Sequence, residues 1–144
     1  MGQVNIYLNF DGNAEEAFNH YKNVFGTEFA GPLMRMKDAP PREGMPPLPE
    51  AEQNKVMHVA LPIMDGTQLM ATDVLPSMGH KLVEGNNFTI SLSPGSKEEA
   101  DKLFNGLAQD GKVNMPLADM FWGAYYGDLT DKFGIQWMVN YQAH

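Results

Sequence analysis

The chain has 144 residues, of which 43% are hydrophobic and 19% are charged, values typical of an ordinary folded protein. Its net charge of −8, with only ten basic residues, opposes binding to nucleic acid, because that affinity depends on Lys and Arg at the phosphates. The absence of Cys excludes disulfides and thiolate sites. No apolar run could span a bilayer and no signal peptide is evident, so we expect a cytoplasmic protein.

The first segment predicts a strand, a turn and an amphipathic helix. Residues 4–10 alternate between polar and apolar side chains, as a half-buried strand does. Asn13 then predicts the N-cap of a helix, with Glu16 as its capping-box partner. Apolar residues recur at helical spacing up to Gly26, where we expect the helix to end.

The next segment predicts a strand, a proline-rich tract and a β-hairpin. The strand lies within residues 27–36, where Gly31-Pro32 interrupts or bends it. The tract at 38–52 carries Pro40, Pro41, Pro46, Pro47 and Pro49. We interpret the tract as a surface excursion, with a lid over a pocket as the alternative, since long loops are often functional. Two strands, 55–63 and 68–73, flank an Asp-Gly turn. On the first of them, the predicted buried face carries Met57, Val59, Leu61 and Ile63.

The second half of the chain repeats the first. Residues 95–100 correspond to residues 12–17, again as a Gly-containing turn followed by a Glu-Glu-Ala step. Phe88, Ile90 and Leu92 predict a strand face, and Ser96 predicts the N-cap of a second helix. Three further strands are predicted at 112–115, 122–127 and 134–141. The chain is therefore expected to be one α+β domain, residues 1–144, built from two tandem βαβββ modules, residues 1–74 and 86–144.

In each module, the sheet face opposite the helix carries small polar side chains rather than Lys and Glu. Two such sheets would curve around a polar-lined cleft, within one chain or across a dimer, and a concave polar site is the default place for a small ligand. The predicted ligand-binding residues are Asn5, Tyr7, Asn9, His58, Met70, Thr72, Thr89, Ser91, Trp122, Tyr126, Gln136 and Met138.

His58 is the only histidine predicted on the cleft face, and it is the one candidate catalytic residue. It is interpreted either as a ligand contact or general base, or as a hydrogen-bonded structural histidine. Asp73 would be its acidic partner only if the strand end twists, because alternation places Asp73 on the opposite face. The remaining histidines, His20, His80 and His144, are expected at the surface.

The two tryptophans are predicted to have different environments. Trp137 alternates with core residues and is expected to be buried. Trp122 lies with Tyr126 on the cleft face, where packing is favoured over an aromatic wall for a flat ligand. Gly123 is expected to allow a close backbone approach.

Three segments carry a family resemblance: YLNFDGNAEEAFNHYKNVFG (7–26), KVMHVALPIMDGTQLMATD (55–73) and MPLADMFWGAYYGDLTDKFGIQWMVN (115–140). The MPL-x(3)-FWG and D-x-FG-x-x-W patterns are specific. The chain resembles the PhnB-like branch of the vicinal-oxygen-chelate superfamily, which includes glyoxalase I, ring-cleaving dioxygenases and bleomycin-resistance proteins. The resemblance implies a glyoxalase-like fold and a homodimer.

By the same resemblance, the metal-ligand positions of the superfamily fall on Asn5, Met70, Thr89 and Met138. None is His, Asp or Glu, so the usual ligand set is missing. We therefore predict no metal ligand and no cofactor, and leave open a nonstandard metal site around His58. Relatives often carry the name 3-demethylubiquinone-9 3-methyltransferase, but the sequence lacks the Gly-rich loop of a doubly wound S-adenosylmethionine enzyme.

Three functions are consistent with these patterns. The favoured one is a metal-independent small-molecule binding protein akin to the bleomycin-binding members. The second is a divergent lyase, isomerase or dioxygenase with its site near His58, and the third is a dimeric interaction module without a ligand. Convergence of Asn5, His58, Thr89 and Gln136 on open space would favour the first. Neither nucleic acid nor membrane is a predicted partner.

Overall fold

The computed structural model of the protein describes residues 2–40, 43–44 and 46–142. The chain divides into two compact units, Met1–Val83 and Glu84–His144. Each unit has one four-stranded mixed sheet and one long helix. Over the described ranges, no helix is both long and apolar enough to cross a membrane.

The first unit forms its sheet in the order β1-β4-β3-β2, with β1 parallel to β4 and the other pairs antiparallel. Its elements are β1 (Ile6–Phe10), α1 (Ala14–Phe25), β2 (Met34–Arg35), α2 (Glu50–Gln53), β3 (Val56–Met64) and β4 (Thr67–Asp73), with 3-10 turns at Met36–Asp38 and Pro76–Met78. Helix α1 packs on β3 and β4. The helix buries an apolar stripe that includes Phe18 and Tyr21, and the sheet buries Leu61 and Leu69 on the facing side.

The second unit repeats this topology in the order β5-β8-β7-β6, with β5 parallel to β8. Its elements are β5 (Ile90–Leu92), α3 (Lys97–Ala108), β6 (Lys112–Asp119), β7 (Ala124–Thr130) and β8 (Gln136–Gln142). The prediction of two βαβββ modules is thus confirmed. This prediction was possible because each strand and helix buries one face, which produces alternation in the strands and helical periodicity in the helices.

The N-terminus of α1 is held by Asp73 rather than by the predicted capping box. Asn13 makes no side-chain cap hydrogen bond. Instead, Asp73 Oδ1 accepts hydrogen bonds from the N–H groups of Gly12 at 3.1 Å and Ala14 at 3.0 Å, and Oδ2 accepts one from the N–H of Val56 at 2.8 Å. The Asp73 carboxylate of β4 takes the place of an Asn13 cap. Its full negative charge strengthens hydrogen bonds at the positive end of the helix dipole.

One strand prediction in the first unit is made more specific and one is corrected. The strand expected within 27–36 is the pair Met34 and Arg35, since Pro32 lacks the N–H that a ladder needs. Met57 is half-buried instead of core-facing, because the register between β2 and β3 shifts next to it. Such an irregularity turns one side chain out of the alternation.

The hairpin between β3 and β4 forms as predicted. Asp65 and Gly66 both have positive φ, 44° and 84°, which is the backbone of a type I′ turn. From this turn, the antiparallel pairing of β3 with β4 extends from Met64↔Thr67 to Val59↔Ala71.

In the second unit, the predicted cap and the predicted core tryptophan are confirmed. Ser96 Oγ accepts a hydrogen bond from the N–H of Glu99 at 3.1 Å. Trp137 is fully buried, and its indole N–H donates to Asp131 Oδ2 at 2.9 Å. Phe88, however, is 60% exposed, because β5 begins only at Ile90.

Strand β6 runs from Lys112 to Asp119 and is longer than the predicted 112–115. It contains Pro116 and two register shifts relative to β7. An edge strand tolerates both features, because one side of its backbone has no ladder partner.

Candidate functional site

The open sheet face of the first unit brings several of the predicted ligand residues together. Tyr7 lies opposite Met70 in the β1–β4 ladder, and Asn9 lies opposite Thr72. The rings of Tyr7 and His58 stack, with centroids 6.2 Å apart and planes inclined by 30°. Tyr7, Asn9, His58, Met70 and Thr72 therefore lie on one face of this sheet.

Two of these side chains are already used by the sheet. Asn5 Oδ1 accepts a hydrogen bond from the N–H of Gln68 at 3.3 Å. The Thr72 hydroxyl lies 3.3 Å from the carbonyl oxygens of Val56 and Asp73, to either of which it can donate. Their polar groups therefore have protein partners in the absence of a ligand.

The environment of His58 is aromatic rather than acidic. Its ring is half-buried beside Tyr7. Asp73, the carboxylate considered as its partner, is on the buried face as alternation predicts and is committed to three backbone N–H groups. The geometry therefore supplies no Asp73–His58 pair for acid–base catalysis.

The other histidines differ in exposure. His20 is half-buried beside Tyr21 rather than at the surface. His80 is exposed, as expected, and its Nδ1 accepts a hydrogen bond from the N–H of Leu75 at 3.2 Å. The prediction for His144, like that for Pro41, falls outside the described residues.

Four more of the predicted residues, Ser91, Tyr126, Gln136 and Met138, lie on the open face of the second unit, whereas Thr89 precedes β5 and Trp122 precedes β7. Ser91 and Asp128 flank Met138 in the ladders of β8. The Tyr126 hydroxyl donates to Asp128 Oδ2 at 2.8 Å, and burial together with this bond raises the pKa of Tyr126. Gln136 Nε2 donates to the carbonyl of Gly85 at 2.9 Å.

Trp122 is not a packed core residue. It is 52% exposed in the turn before β7, where its ring contacts those of Phe121 and Tyr126. A Cβ added at Gly123 would meet no atom within 4 Å, so the expected close approach is wrong. The φ of +94° explains the glycine instead, because side chains disfavour that backbone conformation.

Asn5 and His58 belong to the first unit, whereas Thr89 and Gln136 belong to the second. Their convergence on one cleft, and with it the full set of ligand residues, stays a prediction. Each open face by itself has the predicted alternation.

The first unit contains a cavity of about 510 Å³ that the sequence did not locate. We call it the apolar cavity. It is lined by Met36, Lys37, Ala39, Pro40, Pro46, Pro47, Leu48, Gln53, Met57, Leu75 and Met78. Ligand sites typically have volumes of roughly 300–1,000 Å³ and mostly apolar walls with few polar groups.

Two parts of the lining of the apolar cavity differ from the favoured sequence predictions. The described part of the proline-rich tract supplies Pro40, Pro46 and Pro47, which fits the alternative of a covered pocket rather than a plain surface excursion. Met57 enters the wall because of the register shift in β3. The cluster of prolines is visible in the sequence and could have indicated this cavity. No sequence pattern indicated the register shift.

A second cavity, also of about 510 Å³, lies where β1 and β4 end. We call it the strand-end cavity, lined by Asn9, Met36, Thr72, Asp73, Val74, Leu75, His80, Lys81, Leu82 and Val83. Because Met36 and Leu75 line both cavities, the two share a wall. Asn9 and Thr72 connect this region to the predicted open-face site.

Comparisons with known proteins find relatives that match most of the chain. A family model described as 3-demethylubiquinone-9 3-methyltransferase matches residues 2–140. Protein YjdN of Escherichia coli K12 is 31% identical over 138 residues, which are 93% of this chain and 91% of the relative.

Solved structures show the same fold. PA1353 from Pseudomonas aeruginosa is 37% identical, with a TM-score of 0.84 over 99% of this chain and 98% of that chain. The PhnB protein from Bacillus cereus is 26% identical, with a TM-score of 0.74 over 97% and 99%. The Mn(II)-containing fosfomycin resistance protein FosX from Listeria monocytogenes has a TM-score of 0.64 at 13% identity, over 99% and 92%, and shows the fold alone.

The residues of this chain do not fit the divalent metal that such a fold implies. The positions that the resemblance assigns to the superfamily's ligands hold Asn5, Met70, Thr89 and Met138, which offer amide, thioether and hydroxyl groups. Within the described ranges, no group of three or more His, Asp or Glu side chains is placed to hold an ion. The mechanism of a metal-dependent relative is therefore not carried over.

The methyltransferase description implies S-adenosylmethionine, and the structure does not fit that cofactor either. Each unit has a four-stranded mixed sheet instead of a doubly wound parallel one. At the first strand–helix turn, the N–H groups of Gly12 and Ala14 bind the protein's own Asp73 carboxylate. They are thus not free to bind a nucleoside or carboxylate group of a cofactor.

Proposed function

Because the chain belongs to the PhnB-like family of the vicinal-oxygen-chelate superfamily, we propose that it binds a small organic molecule without the help of a metal ion. The fold alone hosts several activities, so the site has to carry the proposal. The apolar cavity is the single observation that does so.

The composition of the apolar cavity suits an organic ligand. Met36, Met57 and Met78 contribute flexible, polarisable side chains that adapt to different ligand shapes. Prolines contribute apolar surface with little conformational freedom to lose on binding. Lys37 and Gln53 are the polar side chains that could orient a bound molecule.

The strand-end cavity extends the proposed site toward the predicted polar face. Asn9 and Thr72, both proposed as ligand contacts from the sequence, line it. We keep Tyr7, His58 and Met70 in the proposed site because they lie on the same sheet face.

Filling the apolar cavity tests this function. Met57→Trp places a larger side chain at the wall, and Met64→Trp makes the same change at the far end of β3, away from the described lining residues. We expect a ligand found by a thermal-shift screen of small organic molecules to bind wild type and Met64→Trp equally, with EDTA present. Met57→Trp should lose at least about tenfold in affinity, which corresponds to roughly 1.4 kcal/mol.

Calorimetric titration of the three proteins measures the effect. Circular dichroism confirms that both variants fold. Equal affinity in Met57→Trp and Met64→Trp would contradict the cavity as the site, and binding that disappears with EDTA would contradict metal independence.

We also propose that the protein is a cytoplasmic homodimer. Strand β6 lies at an edge of its sheet, and its Val113 and Met115 are exposed. An uncovered edge strand with apolar side chains is commonly paired or covered in the working assembly.

A further inference from the structure

The strand-end cavity has charged and polar groups that the proposed function does not use. Its charged lining side chains are Asp73 and Lys81. Asp73 is only 3% exposed, and its carboxylate accepts three backbone hydrogen bonds. Lys81 is exposed and forms no ion pair within the described part of the chain. The available charge at this cavity is therefore positive.

The neighbouring polar groups also favour donation to a ligand. His80 Nδ1 accepts from the N–H of Leu75, so the neutral ring carries its proton on Nε2, which is a donor. The Asn9 amide adds two further donor hydrogens. Among the described cavity-lining residues, Lys81, His80 and Asn9 together complement a hydrogen-bond acceptor.

The charged side chain in the lining of the apolar cavity is also positive. Lys37 is its only charged residue among those described, and it too has no ion pair there. In a chain of net charge −8, two unpaired lysines at adjoining cavities are a local departure from the overall charge. A cationic ligand would find no uncommitted carboxylate among the lining residues.

We propose that the ligand is an amphipathic organic anion, with its apolar body in the apolar cavity and its carboxylate at Lys81 in the strand-end cavity. Met36 and Leu75 line both cavities, so one molecule can contact both. This inference rests on the proposed function, because it requires that the apolar cavity binds a ligand. A charge-assisted hydrogen bond from Lys81 supplies preference for the anion over an uncharged analogue.

Calorimetric titration with decanoate and decanamide separates the two parts of this inference, because these molecules share an apolar chain and differ in charge. We expect wild type to bind decanoate about tenfold more tightly than decanamide. Lys81→Gln should remove this preference by lowering the decanoate affinity to about that of decanamide. Lys102→Gln, which alters an exposed lysine on α3 in the other unit, should behave like wild type.

Each outcome decides one statement. Equal binding of both molecules by wild type would overturn the anion preference but leave the small-molecule function standing. Loss of the preference in Lys37→Gln and not in Lys81→Gln would overturn the placement of the carboxylate. If neither molecule binds wild type while a molecule found by the thermal-shift screen does, this inference fails and the small-molecule function stands.

Discussion

Two buried aspartates, one in each unit, join segments that are distant in the chain. Asp73 binds the N–H groups of Gly12, Ala14 and Val56, and so ties β4 to the start of α1 and of β3. Asp131 binds the N–H groups of Phe133 and Ile135 and the indole of Trp137. Buried carboxylates are tolerated when several donors compensate for the loss of water. Both residues therefore have structural roles.

Asp73→Asn is expected to destabilise the protein by about 2–4 kcal/mol, because the amide has a single acceptor oxygen and leaves buried N–H groups unpaired. Urea unfolding measures the loss. Asn13→Ala is the matched control at the same helix end, since Asn13 forms no cap hydrogen bond, and it should cost less than about 0.5 kcal/mol. Equal losses in the two variants would contradict the assignment of the cap to Asp73.

At the scale of elements, the two helices have the same position in their modules but different N-terminal caps. Ser96 caps α3 with its own hydroxyl, whereas α1 uses Asp73 from the adjacent strand. Elements near the apolar cavity are also joined by side chains. Glu52 of α2 accepts hydrogen bonds from the hydroxyl of Ser77 at 2.5 Å and from its N–H at 3.1 Å. This contact ties α2 to the 3-10 turn at Pro76–Met78.

The Glu52–Ser77 contact should make stability depend on pH. The hydrogen bond from the Ser77 hydroxyl lowers the pKa of Glu52 from its usual 4.5, with help from the Ser77 N–H and from Lys55 and His80. Because the folded-state pKa is lowered, the contribution is present above pH 4.5 and is lost as the pH falls through the lowered value. We expect Ser77→Ala to lower the melting temperature near neutral pH and to approach wild type in acid.

Thermal unfolding between neutral pH and about pH 3 follows this difference across the carboxylate range. Ser93→Ala, at an exposed serine of the second unit, is the control and should track wild type throughout. A Ser77→Ala difference that stays constant with pH would contradict a role for the ionised Glu52.

At the scale of the whole molecule, the repeated strand order leaves an edge strand at each side of both sheets. The two units differ at one of these edges, because β2 has two residues whereas β6 has eight. A long edge with exposed apolar side chains favours association more than a short one. The proposed homodimer would therefore use β6.

Sedimentation equilibrium tests this assembly. Wild type is expected to be a dimer at micromolar concentration, and Met115→Lys should weaken association by about tenfold or more, because it buries a charge at the edge. Lys102→Glu, an exposed charge change on α3, is the control. A monomer at every concentration would contradict the proposal.

Most of the element order was predictable, because it depends on local patterns. Alternation located β1, β3, β4 and β8, and helical spacing located α1 and α3 within one or two residues. The Asp-Gly turn and the Ser96 cap were also readable, since each requires only a few neighbouring residues. The open-face polarity of Tyr7, Asn9 and Ser91 followed from the same alternation.

The sequence by itself thus determined the duplicated βαβββ topology, the polar open faces and the family. Only the tertiary structure decided that Asp73 caps α1, that Met57 leaves the core face and that the proline-rich tract lines a cavity with Lys37. Those features arise from contacts between residues far apart in the chain and from a register shift between strands. Neither produces a local periodicity, so neither can be read from the order of the residues alone.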